Sequence, residues 1–240
     1  MMAKVRGILF DKDGTLFDFH ATWGVWAQGL LAELAGGDDA IASRLGNAIG
    51  YRFADPAAGV QAGFLASSPV IAGTPEVIAA ALLPHLPGRE SAALVALMNA
   101  RAALAPQMPA VPLRPLLSGL RVQGLKLGVV TNDAEAPAHA HLASAEVTDL
   151  FDFIAGYDSG HGAKPEPGPL LAFARAVALD PGEVVMVGDS THDLVAGRRA
   201  GMRTLAVLTG LAGAAELALH ADAVLPDIGA IPAWLAAHGG

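Results

Sequence analysis

The run Val5-Arg6-Gly7-Ile8-Leu9-Phe10-Asp11-Lys12-Asp13-Gly14-Thr15 decides how the rest of the chain is read. Its apolar half, Val5 to Phe10, is a short strand candidate that stops at a polar turn beginning with Asp11. The same grammar returns downstream. Leu125 to Val130 ends at Thr131-Asn132-Asp133, Phe151 to Ala155 ends at Gly156, and Val184 to Val187 ends at Gly188-Asp189-Ser190. Thr204 to Leu208 and Ala223 to Leu225 extend the set. Helical patterns follow most of these runs, and strands alternating with helices indicate βαβ units, hence a parallel sheet covered on both faces. Continuous rather than alternating apolarity fits buried strands. Ligands of such sheets bind at the carboxyl ends of the strands, where these polar clusters fall.

From about His20 to about Pro112 the strand grammar vanishes and the pattern becomes helical. Trp23, Trp26, Leu30 and Leu34 recur at helical spacing, and so, less cleanly, do Leu94, Leu97, Met98 and Arg101. Thr74-Pro75-Glu76 reads as a helix start with Thr74 as cap. Four prolines between Ala105 and Pro115 mark a hinge back to the sheet. The expected organisation is an α/β core of residues 1–19 and 113–240 with an inserted helical domain at 20–112.

Composition narrows the class. With 53% hydrophobic and 16% charged residues the 240-residue chain reads as globular, not disordered. A net charge of −8 argues against broad attraction to nucleic acid or anionic membrane. It leaves room for a local anion pocket. The absence of cysteine rules out a disulfide framework and a thiolate zinc site. The N-terminus carries only a four-residue apolar run after Arg6, too short for a secretory core. No uncharged stretch reaches the roughly 18 residues that a membrane span needs. The expectation is a cytoplasmic protein.

Two carboxylates two residues apart, at the end of a buried strand and followed by Gly14, put acids on a tight loop with nearby backbone amides. Such a loop can attack an electrophile and hold an anion. Carboxylates alone repel phosphate, so the reading requires a cation. Asp189 supplies a further oxygen ligand from another strand end, and Asp193 lies one helical turn later on the same face. Hard Mg²⁺ prefers such oxygens. Lys164, before Pro165, offers an ammonium to balance the nucleophile and a transferring phosphoryl group. Thr131 and Asn132 offer a hydroxyl, an amide and backbone donors at the adjacent strand end.

Taken together, these residues resemble the haloacid-dehalogenase-like hydrolases, and among them the phosphoglycolate-phosphatase-like group. Asp11-Lys12-Asp13-Gly14-Thr15-Leu16 is similar to the first motif, Thr131-Asn132 to the second, Lys164-Pro165 to the third, and Gly188-Asp189-Ser190 with Asp193 to the fourth. Ala196, Ala200, Gly201 and Met202 are similar to the run that follows the fourth motif. The resemblance implies a Rossmann-like core with a helical cap that closes over the substrate, and a Mg²⁺-dependent phosphatase. Asp11 would form an aspartyl-phosphate, while Asp13 would protonate the leaving group and then activate water. Asp11, the Asp13 carbonyl and Asp189 would bind Mg²⁺, supported by Asp193. Thr131, Asn132 and Lys164 would hold the phosphoryl oxygens. Lys12 stands where many members carry an apolar residue, and its backbone N–H would still face the phosphate. Dehalogenases of the family lack an acid at the Asp13 position, so Asp13 favours phosphate over halide chemistry.

The remaining candidates read more blandly. His139 and His141 point to different sides of a helix and read as solvated, and His192 as a surface residue. His161 lies three residues before Lys164, close enough in sequence to reach the site, but reads as a residue outside it. Trp23 and Trp26 read as packing residues, and Arg44 and Arg52 as solvated groups able to meet a second anion. The expected partner is a small phosphorylated molecule, with phosphoglycolate suggested by resemblance alone and the oligomeric state left open. Alternatives are a phosphomutase with the same nucleophile, or a binding module that has lost turnover; against the latter, none of the expected catalytic residues is missing.

Overall fold

The computed structural model describes residues 4–238. Two compact units divide the chain, one made of the residues up to Asp18 and from Gln107 onward, the other of Phe19–Pro106.

The first unit opens with strand β1 (Gly7–Phe10), and the chain then passes into the helical unit before returning. That unit holds α1 (Phe19–Ala35), α2 (Asp39–Ala48), α3 (Pro75–Leu82) and α4 (Ser91–Ala103). The apolar face of α1 explains its place: Trp23, Trp26, Leu30 and Leu31 are buried, and Trp26 Nε1 donates to the Met98 carbonyl of α4 at 3.2 Å. Asp38 caps α2 by accepting from the N–H groups of Ala40 and Ile41. Thr74 is the N-cap of α3 and Pro75 its first residue, as expected, although Thr74 makes no side-chain cap bond. A two-stranded ribbon of β2 (Tyr51–Arg52) and β3 (Gly63–Phe64) was absent from the sequence reading. Two-residue strands are too short to show a period; what holds them is an aromatic group, with Tyr51 and Phe64 ring centroids 5.0 Å apart and Phe19 against Phe64.

On its return the chain forms α5 (Leu113–Val122), β4 (Lys126–Val130), α6 (Glu135–Ser144), β5 (Phe153–Ala155) and α7 (Gly168–Ala176). It closes with β6 (Val184–Gly188), α8 (Thr191–Arg199), β7 (Arg203–Val207), α9 (Ala214–Leu217), β8 (Ala223–Leu225) and α10 (Ile231–His238). The six strands make one sheet in the order β5-β4-β1-β6-β7-β8, every pair parallel. This is the α/β core expected from the alternation, and the Rossmann-like one that the resemblance implies. Successive strand residues face opposite cores. Ile8, Phe10, Leu127, Val129, Val185 and Val187 pack with Leu117 and Leu120 of α5. Leu9, Val184 and Met186 pack with Leu170 and Phe173 of α7.

The register sets the site. Phe10 pairs with Val129 of β4 and with Val187 of β6, so these three neighbouring strands end at one level. Asp11, Thr131 and Asp189 follow within two residues of those pairs. Among the described residues no helix is long and apolar enough to cross a membrane.

Phe173 packs against the sheet where Gly128 lacks a side chain. A Cβ there would meet the Phe173 ring at 2.6 Å and Leu9 at 2.9 Å. Gly128→Ala is therefore expected to cost about 1–3 kcal/mol by overpacking, read as a lower urea midpoint. Adding Phe173→Leu should return part of that loss, whereas the two costs would simply add if the ring were not the obstacle.

Candidate active site

Asp11 is the first residue beyond β1, and its N–H still donates to Val187 O at 2.9 Å, so the ladder holds its backbone. The chain then turns within three residues. The Leu16 and Phe17 amides donate to the Lys12 carbonyl at 2.9 and 3.1 Å, and Gly14 donates to Phe17 O at 2.7 Å. Gly14 has φ +77°, a left-handed backbone that glycine adopts without strain. It is also confined: a Cβ would sit 2.4 Å from Asp189 Oδ2. The turn is thus pressed against the end of β6.

Three carboxylates converge there. One oxygen each of Asp11, Asp189 and Asp193 lies within 4.8 Å of the others, and all three residues are buried. Asp189 follows β6 and accepts from Thr15 Oγ1 at 3.3 Å. Asp193 is in the first turn of α8, where its Oδ2 accepts from Ser190 Oγ at 2.7 Å and Ser190 N at 3.1 Å. The Lys164 ammonium enters from the loop after β5. It lies 2.5 Å from Asp11 Oδ1 and 2.7 Å from Asp193 Oδ1, and donates to Val130 O at 2.8 Å.

Burial dominates the electrostatics. It pushes the Asp11 carboxyl up to about 7, against the pull of Lys164 and with help from Asp193 and Asp13. Asp189 is raised well above its ordinary value by burial, then by Asp193 and Asp11. Burial alone would lower the Lys164 ammonium, but Asp11 and Asp193 outweigh it and the group is raised. Three buried carboxylates face one ammonium, an excess of two negative charges. An all-oxygen donor set with that excess suits one hard divalent cation, which would balance it.

Of the other expected site residues, Asn132 holds Lys164 in place. Its Nδ2 donates to Lys164 O at 2.8 Å, and its Oδ1 accepts from Lys164 N at 2.9 Å. Thr131 is buried at the end of β4, bonded through its N–H to Ala155 O and through Oγ1 to the Asp133 amide. Asp13 keeps its carboxylate out of the three-acid cluster, so a metal contact from it would have to use its carbonyl. The Lys12 side chain is fully buried, and its Nζ contacts Asp13 at 2.7 Å, Asp133 at 3.2 Å and His141 Nδ1 at 3.0 Å. Only its main chain is left to meet a phosphate.

Asp133 and His141 are the residues that the sequence reading missed. His141, expected in solvent, is buried. The signal was present in α6, where Pro137, Ala138, His141 and Leu142 form one buried stripe at helical spacing. Burial pushes the Asp133 carboxyl up to about 6, with Lys12 opposing. Asp13 and Asp133 raise the Lys12 ammonium against the burial that would lower it. His139 is half-exposed beside Glu135, and His161 is exposed with its ring near Phe153, 5.9 Å between centroids. His192 is half-buried on α8, and Arg44 and Arg52 are exposed in the helical unit.

Residues 5–201 match the model of the haloacid dehalogenase-like hydrolases. Among curated relatives, the chain is 36% identical over 108 residues to the pyrophosphatase PpaX of Bacillus cereus, covering 45% of this chain and 48% of that protein. It is 37% identical over 113 residues to a phosphoglycolate phosphatase of Nitrosospira multiformis, covering 47% and 50%. The chain therefore spans about half the length of the curated relatives it matches. Solved structures agree in fold over nearly the whole chain. A HAD family hydrolase from Deinococcus radiodurans with bound phosphate and sodium superposes with TM-score 0.66 at 22% identity, over 99% of this chain and 97% of that one. CbbY from Rhodobacter sphaeroides in complex with phosphate does so with TM-score 0.64 at 20% identity, over 93% and 95%. With the family model matching most of its length and the strand-end acids in register, the chain belongs to the haloacid dehalogenase-like hydrolase family.

Proposed function

We propose that this chain is a Mg²⁺-dependent phosphatase that hydrolyses small-molecule phosphate monoesters through an aspartyl-phosphate on Asp11. One observation carries the reading: Asp11 ends the central strand with an ammonium 2.5 Å from one oxygen and two more acids in reach of a shared cation. Bound there by Asp11, Asp189 and the Asp13 carbonyl, with Asp193 in support, Mg²⁺ would supply the positive charge that lets a carboxylate approach a phosphate.

The residues divide the reaction. An Asp11 oxygen attacks phosphorus, the ester P–O bond breaks with its electron pair left on the departing oxygen, and Asp13 gives that oxygen a proton. Water then attacks the phosphorus, Asp13 takes the water's proton, and the bond to Asp11 breaks to release phosphate and restore the carboxylate. Covalent catalysis splits one hard displacement into two easier ones. Lys164, fixed by Asn132 and Val130, faces the charge that develops on the phosphoryl oxygens, and Thr131 completes that wall. Asn132 thus contributes through Lys164 more than by direct contact. The helical unit is assigned the choice of substrate. Relatives named as a phosphoglycolate phosphatase and a pyrophosphatase make phosphoglycolate and pyrophosphate the first compounds to try, and small phosphorylated metabolites suit a cytoplasmic setting.

Purified protein with Mg²⁺ is expected to release phosphate from a panel of phosphorylated metabolites, and chelation with EDTA should stop it until Mg²⁺ is restored. Asp11→Asn should lower kcat by about 10³-fold or more, as loss of a nucleophile does. A substitution at Asp11 that left the rate unchanged would falsify the assignment; isomerised sugar phosphate without free phosphate would point to a phosphomutase instead.

The loop after β7 gives a second test. A Cβ on Gly210 would sit 1.7 Å from Asp189 Oδ2, whereas one on Gly213 meets nothing within 4 Å. Gly210→Ala must displace the Asp189 carboxylate. It is expected to raise the Mg²⁺ concentration for half-maximal activity by about 10-fold or more, and Gly213→Ala should leave it unchanged.

A further inference from the structure

Lys12 stands among the largest fully buried side chains, the others being apolar. An ammonium without water is retained only when paired, and Lys12 is paired on two sides. In front, its Nζ lies 2.8 Å from Asp13 Oδ1 and 2.7 Å from Oδ2, so it grips both oxygens of one carboxylate. Behind, it lies 3.2 Å from Asp133 Oδ2 and 3.0 Å from His141 Nδ1. Those two are anchored elsewhere. The Asp133 N–H donates to Thr131 Oγ1 at 3.1 Å and its Oδ1 accepts from Ala134 N at 2.8 Å, while His141 is locked in the buried stripe of α6. A chain of contacts thus runs from the end of β4 and from α6, through Lys12, to Asp13 on the turn after β1.

We propose that Lys12 is a positioning residue for Asp13, with Asp133 and His141 holding it from behind. The inference rests on the phosphatase reading, in which the Asp13 O–H bond breaks as its proton passes to the ester oxygen leaving phosphorus. An Asp side chain without a fixed partner samples several rotamers, and only some aim the carboxyl at that oxygen. Gripping both oxygens removes that freedom, and proton transfer depends steeply on such geometry.

A residue that merely fills the core would lower stability or all activity alike. The test compares kcat/KM, which reports the first chemical half, on two esters: a nitrophenyl phosphate, whose leaving group departs without a proton, and the alkyl phosphate that the wild-type protein hydrolyses fastest. Lys12→Met is expected to lose about 100-fold on the alkyl ester and less than about fivefold on the aryl ester. Asp133→Asn, which keeps the acceptor for Ala134 and removes the charge facing Lys12, should shift the same ratio in the same direction. It carries the test if Lys12→Met does not fold. Lys12→Met combined with Asp13→Asn should be no slower on the alkyl ester than Asp13→Asn alone. Equal losses on both esters, or losses that multiply in the double variant, would overturn the assignment while leaving the phosphatase reading intact. A wild-type protein that splits neither ester overturns both.

Discussion

The ion pair between Lys164 and Asp11 is the contact on which the site depends. Three acids brought to one end of a sheet repel one another in a setting where burial already penalises each charge, as the raised values of Asp11 and Asp189 show. Lys164 offsets part of that cost by touching two of the three and the Val130 carbonyl as well. Its position is in turn dictated by Asn132, which brackets its main chain from the neighbouring strand end. Remove the ammonium and the carboxylates lose their shared partner; remove the bracket and the ammonium loses its aim. The charge that remains unbalanced in the cluster is one that a divalent cation would supply.

Steric confinement complements the electrostatics. Gly14 and Gly210 approach the Asp189 carboxylate from two loops, each at a distance no side chain allows. Ser190 holds Asp193 from its own cap, and Thr15 reaches Asp189 from the first turn. Oxygens supported in this way keep their arrangement while carrying like charge, which is what a preorganised ion site requires.

Much of this was legible in the sequence, for a physical reason. Strands buried on both faces are written as unbroken apolar runs, so Val5 to Phe10 and Val184 to Val187 stood out, and polar residues at their ends were placed at the rim of the sheet. What escaped notice were features without a period or with a misleading one. The ribbon at Tyr51–Arg52 and Gly63–Phe64 is too short to leave a pattern. His141 looked solvated beside His139 because two positions on a helix differ by a large angle, yet the stripe through Ala138 and Leu142 turns it inward. The partners of the Lys12 side chain were not foreseen, because a lysine in a polar turn is ordinarily a surface group. Its burial depends on Asp133, more than a hundred residues away in sequence, and no local signal records that.

The placement of β1 affects how the molecule comes to exist. Gly7 pairs with Lys126 on one side and with Val184 on the other, so the central strand of the sheet precedes both of its neighbours in the chain by more than a hundred residues. Its loops close over more than a hundred residues, a high contact order that slows folding. During synthesis the segment that carries Asp11 must wait, apolar and unpaired, while the whole of the helical unit emerges from the ribosome. The acid cluster can assemble only when β6, which Asp189 follows, arrives. The three acids are therefore brought together only after β1, the helical unit and β6 have all been made.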